Sequence, residues 1–84
     1  MSRETINIVN DVDKIDFIID QPFVSVEIMN LLTGLRAKGH AKCDPTDKWN
    51  RELGAQLAYV RALGRVARKM ERHYIKVSAN NPRS

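Results

Sequence analysis

Five basic side chains carry the strongest chemical signal in this 84-residue chain. Arg61, Arg65, Arg68, Arg72 and Lys76 follow one another at steps of four, three, four and four. Helical geometry gathers that spacing into an arc of about 80°. Lys69 and Arg51 flank the arc, while Glu52 and Glu71 fall elsewhere on the wheel. The row is roughly 22 Å long at 1.5 Å per residue, enough to follow a phosphate backbone. Arginine dominates it, and a guanidinium fork suits bidentate contact with phosphate or carboxylate. A helix face built only for solubility usually interleaves both signs at i,i+4, and this one does not. The competing reading is a solvated face that keeps the helix in water.

A second basic row has a different period. Arg36, Lys38, His40 and Lys42 alternate with Leu35, Ala37, Gly39, Ala41 and Cys43. A period of two separates these sets only in an extended chain, so the row belongs on the outer face of a strand. There the plain reading is a solvated sheet face, with acids such as Glu27 opposite as cross-strand neighbours. His40 and His73 read as surface residues with no nucleophile beside them. Cys43 is expected to face inward, and Trp49 to anchor the core at a helix start rather than to stack on bases. Two phenylalanines and two tyrosines are too few for a base-stacking surface. The spacing of His40, Cys43 and His73 does not make a zinc pattern. No catalytic motif is present, so a non-enzymatic protein without metal or cofactor is expected.

These side chains need elements to hold them. Thr5 to Val9 alternates weakly, and Ile15 to Ile19 is a β-branched and aromatic run; one or both are strands, joined by an acidic turn over Asn10 to Lys14. Pro22 breaks the chain. Phe23 to Met29 alternates clearly, with Val24, Val26 and Ile28 on one side, and reads as a half-buried strand. Asn30 to Gly34 supplies a turn into the basic strand, which completes an antiparallel hairpin. The small residues Ala37, Gly39 and Ala41 leave room for a helix to lie across them.

Asp44-Pro45-Thr46-Asp47 signals a helix start. Beyond it Trp49, Leu53, Leu57, Val60, Leu63, Ala67, Met70 and Tyr74 sit at steps of three or four, an apolar stripe expected to face the sheet. Gly64 falls within that arc and Gly54 at its edge. A helix interior tolerates glycine at a cost of about 1 kcal/mol, so Gly64 is expected to mark close approach to the sheet. The helix is placed at about residues 48–77, with a frayed tail over 78–84. At roughly 45 Å it outruns a strand of roughly 30 Å. Its last turns should overhang the sheet and expose Met70, Tyr74, Ile75 and Val77. Such an overhang usually finds a partner, most simply a second copy in a homodimer.

The run Ala37-Lys38-Gly39-His40-Ala41-Lys42-Cys43-Asp44-Pro45-Thr46-Asp47, followed by Leu53-Gly54-Ala55-Gln56-Leu57-Ala58-Tyr59-Val60-Arg61-Ala62-Leu63, resembles a family of small actinobacterial and phage proteins of no established function. Their pattern is a strand with spaced Gly and Ala, a short turn with Pro and Asp, and a helix containing Gly-x-x-Leu-Ala-x-x-Arg-Ala-Leu. The likeness covers residues 35–67. It implies a fold like the double-stranded-RNA-binding domain and implies no activity. The N-terminal 22 residues depart from the family, and the helix end is longer and more basic. True double-stranded-RNA binders carry a Lys-rich cluster at the start of their last helix. Here Lys48 is the single basic residue from Asp44 to Asn50.

The expected architecture is one α+β domain over 1–84. A three-stranded antiparallel sheet, with a fourth strand as an option, lies within residues 5–43 and packs on one long C-terminal helix. Charge follows these elements. Residues 1–34 hold two basic and six acidic side chains, and residues 35–84 hold twelve and four, although the whole chain is only +4. One cysteine excludes an internal disulfide and fits a reducing cytoplasm. No apolar run approaches the roughly 20 residues of a membrane span. The polar stretch Met1 to Asp13 does not read as a signal peptide. The expected partner is nucleic acid, held without sequence readout by Arg61, Arg65, Arg68, Lys69, Arg72 and Lys76, with Arg36, Lys38 and Lys42 as a second basic face. The alternative is an interaction module for a host or partner protein.

Overall fold

A computed structural model describes residues 3–44, 46 and 48–80. Four strands, β1 (Glu4–Val9), β2 (Asp13–Asp20), β3 (Phe23–Asn30) and β4 (Arg36–Lys42), precede one helix, α1 (Arg51–Asn80). The strands form an antiparallel meander in the order β1-β2-β3-β4. Both N-terminal runs are therefore strands. Asn10 sets the first turn: its side-chain oxygen accepts from the amides of Val12 and Asp13, at 2.8 Å each.

Alternation sorts the side chains as the period of two requires. Ile15 and Ile19 of β2, Val24, Val26 and Ile28 of β3, and Ala37 and Ala41 of β4 are buried on one face. The register sets Ile28 against Ala37, Val26 against Gly39 and Val24 against Ala41. Asn30, 2% exposed, ends this row. Its side-chain oxygen accepts from the Thr33 amide at 3.0 Å and the Thr33 hydroxyl at 2.9 Å, which folds the β3–β4 turn back on itself. Gly34 closes that turn with φ +75, a conformation side chains resist.

Helix α1 lies across β3 and β4, and it does so on an unexpected face. Ala58, Ala62 and Val66 are its buried residues, while Leu53, Leu57, Val60 and Leu63 are exposed. Of the expected apolar stripe only Trp49 and Met70 reach the core, each half-buried, so Met70 is not exposed as expected and the stripe is not the main packing face. Size decides this, not hydropathy. A Cβ on Gly39 would collide with the backbone of Ala58 and Ala62, so the helix backbone rests almost on the strand. Only alanine-sized side chains fit into that gap. Gly64, expected at the close approach, points away, and a Cβ there would meet nothing within 4 Å. Gly54 sits closer to the sheet, near Val24.

The helix also starts later than expected. Asn50 caps it, accepting from the Leu53 amide at 3.0 Å. Asp44 instead closes a local turn, accepting from the Thr46 amide at 2.8 Å and hydroxyl at 2.7 Å. Those bonds hold its carboxyl below the usual carboxylate range. Pro45 and Asp47 lie outside the described residues. At the other end α1 continues to Asn80, so residues 78–80 are helical rather than tail, and 81–84 lie outside the described residues. Residues 71–77 are all exposed, consistent with a helix that outruns its sheet. Trp49 is half-buried against the core, in the anchoring position expected of it.

Candidate nucleic-acid interface

Helix α1 runs alongside β4, an edge strand whose outward carbonyls lack a strand partner. Four helical residues rise roughly 6 Å, and two strand residues span roughly 6.6 Å. Side chains at i, i+4 and i+8 of the helix can therefore meet every second carbonyl of the strand. That match is realised. Arg61 Nη1 donates to the His40 carbonyl at 2.6 Å. Arg65 Nη1 donates to the Lys38 carbonyl at 2.7 Å, and Lys69 Nζ to the Arg36 carbonyl at 2.7 Å. Three of the six helix residues singled out by spacing are thus clasps on the sheet edge. Basic side chains that cover an edge also block pairing with another chain.

The clasps do not exhaust these groups. A guanidinium has five N–H donors, and the bonds of Arg61 and Arg65 to β4 use one each. The bond to β4 ties each head to the strand edge, and both residues remain exposed. Beside them stand Arg68 and Arg72, which make no ion pair among the described residues. Lys38, Arg65, Arg68, Lys69 and Arg72, with Ala37, line one shallow recess of about 310 Å³ that no acidic side chain enters. Lys76 lies one turn beyond Arg72, on the helix overhang, and is exposed.

The second basic row is exposed, and its register divides it. Lys38 lies opposite Glu27, His40 opposite Ser25, and Arg36 opposite Met29. The Lys42 ammonium sits over the Phe23 ring, 5.5 Å from its centre. Asp16 lies beside Glu27 in the next strand, so the middle of this face is acidic rather than basic. Asn7 Nδ2 donates to Asp16 there at 2.5 Å. Arg36, Lys38 and Lys42 therefore form a rim along the β4 edge, not a basic sheet face.

Arg51, a flank of the helix row by spacing, turns the other way. Its Nε and Nη2 hold the Glu4 carboxylate at 2.6 Å and 2.5 Å, clamping β1 to the helix start. That fork pulls the Glu4 carboxyl below the ordinary range and raises Arg51. Sequence spacing has no access to a pair 47 residues apart. Among the described residues no group of three His, Cys, Asp or Glu side chains is placed to hold a metal ion. Among the described residues no helix is long and apolar enough to cross a membrane. Comparison with protein-family models, curated proteins and solved structures finds no match to this chain.

Proposed function

We propose that the protein is a non-enzymatic binding protein that holds nucleic acid phosphates along the flank of α1 that overlooks β4. The observation that supports this reading is the recess of Lys38, Arg65, Arg68, Lys69 and Arg72, a run of cations with no acid among its walls. Arg61, Arg65 and Lys69 are pre-positioned by the strand carbonyls, so binding immobilises fewer free side chains. Arg68, Arg72 and Lys76 supply the unpaired charge. Nothing in this arrangement reaches a base edge, and contact with phosphates alone carries no sequence information.

Fluorescence anisotropy with labelled duplex DNA and duplex RNA tests it. Four phosphates neutralised give a log–log salt slope of about −3.6. The double substitution Arg68→Glu and Arg72→Glu leaves all three sheet-edge clasps in place, and it should abolish binding. Undetectable binding of the unaltered chain at low salt, or binding that ignores salt, would overturn the reading. The second reading, a protein-interaction module, is favoured by a different feature: the large apolar side chains that α1 leaves uncovered.

A further inference from the structure

Helix α1 has two apolar faces and its own sheet covers one. Val60, Leu63, Ala67, Met70, Tyr74 and Val77 follow at steps of three, four, three, four and three. That is the 3.5-residue repeat of a helix pairing with another helix. Val60, Leu63, Tyr74 and Val77 are between 43% and 61% exposed, and none of the arginines falls in the row. The repeat runs on past the sheet. Lys69 reaches Arg36, the first residue of β4, and Met70 is still half-buried against the core, so Tyr74 and Val77 stand where no strand lies beneath.

The sheet has the complementary deficit. Four strands at roughly 4.8 Å offer a face about 19 Å wide, room for two helices of roughly 10 Å. Helix α1 fills the β3–β4 half. Over β1 and β2 an open apolar groove of about 290 Å³ remains, lined by Ile8, Ile15, Phe17, Ala55, Gln56 and Tyr59.

We propose that the protein is a homodimer in which the two α1 helices run parallel, side by side, between two sheets. A two-fold axis along the helices places each one on β3 and β4 of its own sheet. The same axis sets its outer flank over β1 and β2 of the partner's sheet. The seam from Val60 to Val77 then meets its own copy, and the overhanging ends pair beyond the sheets. The two deficits fill each other, as an isologous contact requires. At roughly 100 Å² for each half-exposed large side chain, Val60, Leu63, Tyr74 and Val77 together with Ile8 offer about 500 Å² per copy. The two copies together then bury roughly 1,000 Å², the size that a specific interface should reach. The arginine row faces outward on both copies and stays open, so the dimer stands or falls separately from phosphate binding.

Light scattering coupled to size exclusion, on the full chain at high micromolar concentration, should give twice the chain mass of 9.6 kDa. Leu63→Glu and Tyr74→Glu alter side chains already exposed in one copy, so each should yield a monomer with an unchanged circular dichroism spectrum. Arg72→Glu should remain dimeric. A single Val77→Cys should form a covalent dimer under mild oxidation, above the level seen with the unaltered chain, because a parallel two-fold pair brings residue 77 against itself. A monomeric unaltered chain would assign the seam to some other occupant and overturn the proposal. So would a dimer indifferent to both glutamates, which would place the contact elsewhere, or a Val77→Cys chain that does not cross-link.

Discussion

Gly39→Ala offers the sharpest check on how α1 meets the sheet. A methyl group at Gly39 would overlap the carbonyl oxygen of Ala58 and the amide of Ala62. Both belong to helix backbone, so no side-chain rotation relieves the clash. The helix must lift by roughly 1 Å, and a gap of that size forfeits between a quarter and a half of each dispersion contact. Val24, Val26 and Val66 are at most 4% exposed beneath and within that contact. At about 2 kcal/mol for each buried valine, losing about a third removes roughly 2 kcal/mol. Residual overpacking strain brings the expected loss to about 2–4 kcal/mol. A domain of this size has roughly 4–12 kcal/mol in total, so a large part of its stability rests on one missing methyl group. Urea unfolding followed by circular dichroism, at one fixed protein concentration, measures the difference. A loss below about 1 kcal/mol with unchanged denaturant slope would refute the reasoning, since it would mean that the helix is not seated on Gly39.

Gly64→Ala is the counterpart on the far side of the same helix. In a Leu63→Glu background, where α1 stands alone, it should raise stability by up to about 1 kcal/mol in the same urea assay. Replacing Arg61, Arg65 and Lys69 together by Met uncovers the β4 carbonyls. Each single change should cost about 0.5–1 kcal/mol, while the triple variant should form strand-rich aggregates detected by light scattering. A triple variant that stays clear would remove edge protection from the roles of these residues. The Glu4–Arg51 fork predicts an acid dependence. Glu4 titrates below its ordinary value of 4.5 in the folded chain. Its contribution is therefore complete above that value and is lost as pH falls through the lower, folded one. Unfolding midpoints of the unaltered chain and Glu4→Gln should differ at neutral pH and converge in acid; a gap that persists in acid would contradict this.

Periodicity made much of this fold readable. A strand such as Phe23–Asn30 announces itself because Val24, Val26 and Ile28 alternate with polar neighbours, and a long helix is the only structure that gathers five cations into one arc. Which helix face would be buried was not readable from hydropathy. Leucines at helical spacing outweigh alanines on any hydrophobic scale, yet Ala58 and Ala62 are the residues that fit above Gly39. The choice depends on the distance between two backbones, which belongs to the pair of elements and not to either one. The signal was present as small residues in both, at Ala37, Gly39 and Ala41 and at Ala58 and Ala62. The basic row was legible as a row, but its division between clasps and unpaired cations was not. That division follows from the matched rise of helix and strand, and only placing α1 beside β4 reveals it.

The clasps also make the two sides of the sheet unequal. β4 is closed by Arg61, Arg65 and Lys69, whereas β1, the opposite border, has no such cover from the described residues. Growth of one continuous sheet needs two sticky borders, one to accept and one to offer. A sheet with one border sealed can join another only open side to open side, and the joined sheet has no open border left to extend. The arginines and lysine along α1 thus act as a terminator: a continuous sheet grown by strand addition ends at two sheets.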